Sequence, residues 1–340
     1  MRSLLHKQAL ITGGGSGIGL AIARRLYLEG CSVTLLGRTE STLQRAQSLI
    51  LSHPSHQPSH PPSHTSVSAS ASSRSSASND PPASSPVSNA QDDNERTRVS
   101  YHPLNVTSAS SWQSLLNSYT GDGDSKRIDI LINCAGITQR SPLMKTPVEE
   151  VEELLDTNLR GTVLGCKFVG RAMLRNRSSS TASSTTSTST SRSTATSTPK
   201  RGVEQEDKGR GVQEGVKEGV QEGVKEGVQD RGVIVNVASL LAQKGVIGTS
   251  VYAAAKAGVV GLTNSLAHEY GRSGIRVNAV LPGYIETDMT TGLKNPSILQ
   301  QIPLGRFGTT DEVADAALFL IKNPYANNCV LNLDGGLSAV

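Results

Sequence analysis

One stretch of the sequence, residues 239–256, carries side chains that could transfer a proton. Ser239 is followed thirteen positions later by Tyr252, and Lys256 comes four residues after the tyrosine. Residues four apart on a helix share a face, so we expect the Lys256 ammonium to lie beside the Tyr252 phenol. A neighbouring positive charge favours the phenolate and lowers a tyrosine pKa from its usual value of about 10. Tyr252 is therefore a candidate proton donor near neutral pH, and Ser239 a candidate partner for the same substrate oxygen. A tyrosine and a lysine at this spacing also occur on ordinary solvated helix faces, so the pair alone does not decide the function.

A glycine-rich turn near the N-terminus predicts a phosphate-binding site. Residues 9–12 form a short apolar strand, and an amphipathic helix over residues 20–30 follows the turn. Glycines allow the backbone to approach a pyrophosphate, and the helix N-terminus offers unpaired N–H groups and a partial positive charge. The candidate cofactor residues of this turn are Thr12, Gly13, Gly15, Ser16, Gly17, Ile18 and Gly19.

The next predicted strand, residues 31–36, is followed by Gly37 and Arg38. Folds that prefer NAD usually place an acidic residue here for the ribose 2′-hydroxyl, whereas a basic residue accommodates a 2′-phosphate. Arg38 therefore indicates NADPH as the cofactor. The alternative is that Arg38 is an ordinary exposed arginine.

Further strands are predicted at residues 99–106 and 128–132. The second of these leads into residues 133–136, where small side chains at a strand end let a ligand pass close to the backbone. A single long helix is predicted over residues 148–175, and it contains Asn158. An asparagine inside a long helix is usually solvated or packed, so these residues alone do not make Asn158 catalytic.

The composition separates two segments from the rest of the chain. Of the 340 residues, 36% are hydrophobic and 3% aromatic, which is low for a globular domain. Residues 53–98 are rich in Ser, Pro, His and Ala, and residues 176–231 combine a Ser/Thr tract with a Gly-Val-Gln/Lys-Glu repeat. Neither segment buries enough apolar surface to offset the entropy of ordering, so we predict that both are disordered insertions. The remaining roughly 240 residues fit one α/β domain.

The charge and the remaining motifs exclude several function classes. A net charge of +4 without a Lys/Arg stripe argues against nucleic acid as a partner. We predict no metal site, because the four cysteines fit no metal-ligand spacing and the histidines of the first insertion lie in a repeat without Cys or carboxylate partners. No apolar run reaches transmembrane length, and the residues before the first strand are too few for a separate cleavable segment. We expect an intracellular protein, either mitochondrial or cytoplasmic.

Taken together, the motifs resemble those of the short-chain dehydrogenase/reductase family. They are the turn at residues 12–19, the Asn-Cys-Ala-Gly of residues 133–136, Asn158, Ser239, Tyr252 with Lys256, and Pro282 with Gly283. The resemblance covers essentially all of the chain outside the two insertions. It implies a single Rossmann-type domain, with a doubly wound parallel sheet flanked by helices, that binds NADPH.

The resemblance also implies roles for individual residues. Tyr252 would protonate a substrate carbonyl while Ser239 orients it, Lys256 would hold the nicotinamide ribose, and Asn158 would position a water in a proton relay. The remaining residues implied to contact the cofactor are Asn105 and Val106 at the adenine, Asn133, Ala135 and Gly136, and Pro282, Gly283, Ile285 and Thr287 at the nicotinamide. Asn105 departs from the aspartate common in the family, so we expect an altered contact with adenine.

The C-terminal third, at residues 275–289, 302–308 and 333–336, most resembles 3-oxoacyl-[acyl-carrier-protein] reductases. This likeness implies a 3-oxoacyl thioester substrate, an acyl carrier protein as partner and a homotetramer. We expect an acidic carrier to dock on basic residues near the cleft, for which the candidates are Arg140, Lys145, Arg171 and Arg175. The alternatives are a related reductase of quinones, small carbonyls or sugar-type alcohols, and a nucleotide-sensing protein without turnover.

Overall fold

The computed structural model describes residues 3–52, 98–119, 127–176, 230–294 and 296–339. The two low-complexity segments lie outside the described residues except at their ends, so the predictions of disorder and of a single domain remain predictions. At those ends the predicted boundaries are too wide. The Asn176 side chain donates at 2.8 Å to the carbonyls of both Ile128 and Arg231, and the Arg98 guanidinium donates to the carbonyl of Tyr27 at 2.6 Å.

The described residues form a seven-stranded, fully parallel sheet with strand order β3-β2-β1-β4-β5-β6-β7. The strands are β1 (Gln8–Thr12), β2 (Ser32–Gly37), β3 (Val99–Pro103), β4 (Ile130–Asn133), β5 (Gly232–Val237), β6 (Ile275–Pro282) and β7 (Val330–Leu333). The strand order reverses between β1 and β4, and ligands of open α/β sheets bind at the carboxyl ends of strands at such a reversal. This confirms the predicted Rossmann-type fold class.

Helices cover both faces of the sheet. They are α1 (Gly17–Leu28), α2 (Glu40–Leu51), α3 (Ala109–Asn117), α4 (Val148–Leu155), α5 (Gly161–Met173), α6 (Ser250–Gly271), α7 (Pro296–Leu299) and α8 (Thr310–Lys322). Helices α1, α2 and α8 pack on one face, and α3, α5 and α6 on the other. Successive strand side chains point to opposite faces, so in β4 Ile130 and Ile132 join the first core and Leu131 the second. Burial on both faces explains the nearly continuous apolar runs of the strands.

A buried arginine joins the end of α8 to the sheet. Arg276, in β6, is 8% exposed, and its guanidinium donates to the carbonyls of Leu320, Ile321 and Ala326 at 2.7–2.8 Å. The last carbonyls of a helix lack partners within the helix and carry a partial negative charge, so a cation there is stabilising. Arg276 therefore holds α8 against the edge of the sheet.

The helix predicted over residues 148–175 is present from Val148 to Met173, but it is not a regular α-helix along its whole length. A π-helical turn, Asp156–Arg160, separates α4 from α5. Such turns widen a helix locally and are frequent at functional sites. Asn158 lies in this turn and is fully buried, so it is neither a solvated helix residue nor a member of a regular helix.

Both low-complexity segments join the fold at the amino ends of strands. The first lies between Ser52, which follows α2, and Arg98, which precedes β3; the second lies between Asn176, which follows α5, and Asp230, which precedes β5. The candidate site residues follow the carboxyl ends of strands instead. The points of attachment are thus on the side away from the candidate site.

Membrane spans and metal clusters are both absent from the described residues. Among these residues, no helix is long and apolar enough to cross a membrane. Within the same ranges, no group of three or more His, Cys, Asp or Glu side chains could hold a metal ion.

Candidate active site

The turn between β1 and α1 has the geometry of a phosphate cradle. Gly13 and Gly17 have φ of +66° and +52°, a region that favours glycine. A Cβ at Gly19 would lie 2.3 Å from the carbonyl oxygen of Gly13, and one at Gly15 would lie 2.9 Å from the Thr42 side chain. The turn therefore brings its backbone close to the N-terminus of α1. This geometry fits a pyrophosphate, which the backbone N–H groups of the turn would hold.

Ser16 and Ile18 complete the start of α1. Ser16 is the N-cap residue in an extended conformation, and its side chain makes no capping hydrogen bond to the helix. Ile18 lines the cavity that contains Tyr252. The same end of α1 therefore faces both the phosphate turn and the candidate catalytic side chains.

Thr12 and Asn133, which were predicted to contact the cofactor, do not line either cavity. Their side chains make hydrogen bonds within the protein instead. The Thr12 hydroxyl accepts hydrogen bonds from the backbone N–H groups of Cys134 and Ala135 at 3.0 and 3.1 Å. The Asn133 amide is buried and donates at 2.9 Å to Asn236 in the neighbouring strand. These hydrogen bonds fix the end of β4 and the backbone that follows it. In this part of the chain, the backbone rather than these two side chains is placed to approach a cofactor.

An outer cavity of about 470 Å³ lies beside the phosphate turn. Of the predicted residues it is lined by Gly13, Arg38, Asn105, Val106, Ala135 and Gly136. Four acidic side chains that were not predicted from the sequence also line it, namely Glu149, Glu152, Glu153 and Asp156. Arg38 pairs with Glu153 at 3.7 Å, and both side chains are more than half exposed, at 63% and 56%. The cationic residue expected to contact a 2′-phosphate therefore has an acidic competitor.

Asn105 stabilises the turn after β3. Its side-chain oxygen accepts hydrogen bonds from the backbone N–H and the hydroxyl of Thr107, at 3.1 and 3.0 Å. The acceptor that this asparagine shares with the family's aspartate is therefore engaged with its own loop. The expectation of an altered contact with adenine stays a prediction.

An inner cavity of about 100 Å³ contains the candidate catalytic side chains. The predicted residues that line it are Gly136, Ser239, Tyr252, Lys256, Pro282, Gly283, Ile285, Thr287 and Ile18. Cys134, Met289 and Thr290 also line it and were not predicted. Gly136 lines both cavities, so the phosphate turn and the candidate catalytic residues adjoin one continuous cleft.

Ser239 and Tyr252 both line the inner cavity although they lie on different elements. Ser239 follows β5, where its hydroxyl accepts from the Leu241 N–H at 3.2 Å, and Tyr252 lies in the first turn of α6. Burial raises the pKa of Tyr252 above its ordinary value, and the Ser239 hydroxyl opposes that shift. The phenol is therefore held in its protonated form at neutral pH.

The predicted effect of Lys256 on Tyr252 is not found. The Lys256 ammonium lies 5.7 Å from the centre of the tyrosine ring and donates to the carbonyl of Val237 at 2.9 Å. Burial lowers the pKa of Lys256 to about 8. The spacing correctly placed the two groups side by side, but it could not show that burial penalises the charged form of each.

The Asn158 side chain lies against the backbone of Gly136, the residue that lines both cavities. A Cβ at Gly136 would lie 2.7 Å from the Asn158 side-chain oxygen and 3.5 Å from the Lys256 nitrogen. The Asn158 amide also makes two hydrogen bonds with the backbone of Ile137. Glycine at position 136 therefore permits the asparagine and the lysine to approach the same piece of backbone.

Residues 282–290 form the far wall of the inner cavity. A Cβ at Gly283 would lie 2.8 Å from Asp334, so the chain passes closely here. Thr287 and Thr290 form a reciprocal capping box at the start of a short 3₁₀ turn. The Thr287 side chain lies 3.4 Å from the position of a Cβ on Gly17. This loop is thus ordered by its own hydrogen bonds and adjoins the phosphate turn.

The four basic residues considered for carrier docking fall into two groups. Arg140 donates to the carbonyl of Met289, which lines the inner cavity, and Lys145 lies in the same loop as Arg140. Arg171 and Arg175 lie near the end of α5, where Asn176 contacts the amino ends of β4 and β5. The second pair is therefore at the opposite edge of the sheet from the cleft, contrary to the expectation that all four lie near it.

Two family models match the chain. The model described as short chain dehydrogenase matches residues 7–58 and 64–205, and the model described as Enoyl-(Acyl carrier protein) reductase matches residues 210–338. The 3-oxoacyl-[acyl-carrier-protein] reductase of Homo sapiens is 36% identical over 214 residues, which are 63% of this chain and 68% of that protein. The Carbonyl reductase family member 4 of Xenopus tropicalis is 35% identical over 210 residues, 62% of this chain and 66% of that protein.

Solved structures share the fold. A short chain dehydrogenase from Bacillus anthracis covers 99% of this chain and 98% of its own with a TM-score of 0.64 at 24% identity. A protein from Agrobacterium tumefaciens crystallised with bound NADP has a TM-score of 0.65 at 25% identity, over 99% and 98% of the two chains. The sheet order, the glycine turn and the two matched family models lead to one assignment. The chain belongs to the short-chain dehydrogenase/reductase family of oxidoreductases.

Proposed function

We propose that this protein is an NADPH-dependent ketone reductase and that its favoured substrates are 3-oxoacyl thioesters carried by an acyl carrier protein. The observation that carries the proposal is the meeting of Ser239, Tyr252 and Lys256 in one cavity that adjoins the glycine turn. A protein that only bound a nucleotide would have no use for a protonated phenol at that position.

The proposed reaction needs a hydride and a proton. The nicotinamide, when bound, supplies the hydride. Ser239 orients the substrate carbonyl, and Tyr252 donates the proton to its oxygen because burial keeps the phenol protonated at neutral pH. Lys256 and Asn158 meet at Gly136. There Lys256 would hold the ribose hydroxyls, and Asn158 would hold a water that returns a proton to the tyrosine.

Arg38 is the support for NADPH over NADH, because a basic residue at the end of the second strand suits a 2′-phosphate. It lines the outer cavity, where the adenosine end of the cofactor would lie. Glu153 opposes this preference, since its carboxylate pairs with the same guanidinium. We therefore expect the protein to prefer NADPH over NADH, but by a smaller factor than it would without Glu153.

The support for a thioester substrate comes from the relatives' names and from the surface beside the cleft. Met144 and Ile247 are 98% and 92% exposed on segments that adjoin the inner cavity's wall. Apolar side chains at such a position suit an acyl chain better than a sugar. The names of the relatives specify the 3-oxoacyl reductase activity and the acyl carrier protein, and we propose both for this chain.

The test is NADPH oxidation with acetoacetyl-coenzyme A as the carrier-free substrate. We expect turnover by the wild-type protein, a preference for NADPH over NADH, and loss of turnover in Tyr252→Phe with NADPH binding retained. Turnover that survives in Tyr252→Phe would contradict the assigned proton donor. Binding of NADPH without any thioester turnover would move the assignment to another carbonyl substrate or to a sensor.

A second candidate is a reductase of quinones or small carbonyls. It is favoured by the carbonyl reductase from Xenopus tropicalis, which is nearly as similar to this chain as the human 3-oxoacyl reductase. The same assay with a quinone in place of the thioester separates the two. A higher kcat/KM for the quinone would favour the second candidate.

We propose a homotetrameric, single-domain enzyme of the mitochondrion or cytoplasm. Support for association comes from α6, where a Cβ added at Gly261 would meet no atom within 4 Å, and from exposed Val163 on α5. Small residues let helices of neighbouring subunits approach closely. Sedimentation that shows only monomer at micromolar concentration would contradict this assembly, and fractionation of cells would decide the compartment.

A further inference from the structure

The first turn of the Tyr252 helix is capped by a residue from a distant part of the chain. Helix α6 begins at Ser250, and its N-cap residue, Thr249, makes no capping hydrogen bond with its side chain. The Thr249 hydroxyl instead donates to the carbonyl of Val246 at 2.7 Å. The N–H groups that an N-cap side chain normally satisfies, those of the second and third helical residues, belong here to Val251 and Tyr252.

Gln139 supplies the missing acceptor. Its side-chain oxygen accepts hydrogen bonds from the backbone N–H groups of Val251, at 2.8 Å, and of Tyr252, at 3.2 Å. Gln139 and Val251 are 112 positions apart in the sequence. Gln139 is only 2% exposed, so water cannot easily replace it as a partner. The backbone of the candidate proton donor is therefore held directly by this side chain.

The other end of the same amide holds a loop beside the cleft. The Gln139 nitrogen donates to the carbonyl of Ser141 at 2.9 Å and to the hydroxyl of Thr146 at 3.1 Å. These residues belong to the loop of residues 140–146. Arg140 of this loop donates to the carbonyl of Met289, a lining residue of the inner cavity. The Gln139 amide thus joins the start of α6, the helix that carries Tyr252, to the 140–146 loop beside the inner cavity.

We propose that Gln139 is a positioning residue for the reduction, and this rests on the proposed function. Its oxygen sets the position of the Tyr252 backbone, and its nitrogen sets the position of the 140–146 loop relative to that tyrosine. A small displacement of a proton donor is enough to slow a reaction strongly. Loss of the oxygen should therefore lower kcat, whereas loss of the nitrogen alone should raise the KM for the ketone.

Two variants separate the role of the Gln139 oxygen from that of the Gln139 nitrogen. Gln139→Met keeps the length of the side chain and removes both hydrogen-bonding groups, and we expect kcat to fall roughly ten- to hundredfold while the KM for NADPH stays unchanged. Gln139→Glu keeps an acceptor for the two N–H groups, so we expect most of kcat to return and the KM for the ketone to rise.

Hydrogen exchange at the Val251 and Tyr252 amides measures the cap without any turnover. We expect fast exchange in Gln139→Met and protection in both wild type and Gln139→Glu. The matched control is Asn176→Ala, which removes two hydrogen bonds of a buried amide at the amino ends of β4 and β5 and should lower the melting temperature without changing kcat. The control shows what loss of a buried amide does when no catalytic residue is attached.

The outcomes distinguish this inference from the proposed function. Absence of turnover in the wild type would defeat the proposed function, while the exchange measurement would still decide whether Gln139 caps the helix. Wild-type kcat in Gln139→Met, an equal loss of kcat in Asn176→Ala, or unchanged exchange of the two amides would each overturn the inference. If Gln139→Met does not fold, Gln139→Glu decides: fast exchange of the Val251 and Tyr252 amides, or an unchanged KM for the ketone, in that variant would overturn the inference.

Discussion

The side chain of Asn158 and the backbone of Ile137 form a reciprocal pair of hydrogen bonds. The asparagine oxygen accepts from the Ile137 N–H at 3.0 Å, and its nitrogen donates to the Ile137 carbonyl at 2.9 Å. The amide thus completes the hydrogen bonding of a segment that has left β4 and has no neighbouring strand. Asn158 lies in the π-helical turn, so this local widening of the helix places the asparagine against the backbone beside the cleft.

Asn158→Ala should lower both stability and activity. The substitution leaves two backbone groups of Ile137 without a partner, which costs about 1–3 kcal/mol of unfolding free energy. It also releases the backbone at Gly136, so we expect kcat to fall at least about tenfold. The control is Asn176→Ala, which removes a similarly buried amide at the opposite edge of the sheet. Equal losses of kcat in the two variants would show that Asn158 acts only through stability.

The rate of reduction should fall above pH 8. Burial lowers the pKa of Lys256 to about 8, so the ammonium that we propose as the holder of the ribose hydroxyls is lost as the pH rises through that value. The quantity to measure is kcat/KM for NADPH, which reports the free enzyme. Because the pKa of Tyr252 is raised, the tyrosine stays protonated over the same range and does not account for the fall. A profile that is level to pH 10 would contradict the assignment.

Lys256 should make the folded protein less stable below pH 8 than above it. Its pKa is lowered from 10.5 to about 8 on folding, so between these values the unfolded chain binds more protons than the folded one. Stability contributed by this group therefore rises with pH across that window. The measurement is the difference in unfolding free energy between the proteins with and without Lys256→Met at several pH values, both carrying Cys134→Ala, because Lys256 lowers the pKa of the Cys134 thiol. A difference that stays constant from pH 8 to 10.5 would rule out the buried ammonium.

Glu153→Gln should improve the use of NADPH. The substitution frees Arg38 from its ion pair, and exposed pairs of this kind are weak, so we expect the KM for NADPH to fall about two- to fivefold. The KM for NADH should not change, and the effect should shrink at high salt. Glu150→Gln is the control, since Glu150 lies on the same helix but does not line the outer cavity. Equal effects on both cofactors would show that Glu153 does not act on the 2′-phosphate.

Charge reversal should locate the docking site of an acidic carrier. We expect Arg140→Glu combined with Lys145→Glu to raise the KM for the carrier-bound substrate and to leave that for the coenzyme A thioester unchanged. The comparison is Arg171→Glu combined with Arg175→Glu, at the opposite edge of the sheet, for which we expect no change. A larger effect of the second pair would place the carrier there instead.

Features that depend on neighbours along the chain could be predicted from the residues alone. The short apolar runs of the strands, the strand–glycine–helix order at residues 9–28 and the helical spacing of Tyr252 and Lys256 are all local features of the sequence, a few residues in length. The parallel sheet then follows, because successive strands with intervening helices pair in parallel. The fold class and the grouping of the candidate site residues at one edge were therefore predictable.

Tertiary structure decided the features that depend on burial or on distant partners. The direction of the Tyr252 pKa shift came from desolvation, which no spacing reveals. Gln139 and Glu153 carry no local signal, since their partners, Val251 and Arg38, lie on other elements. The sequence by itself determined which residues could do chemistry, because that depends on their types and local spacing. Only the packed structure decided their charge states and supports, because these depend on which distant groups exclude water from them.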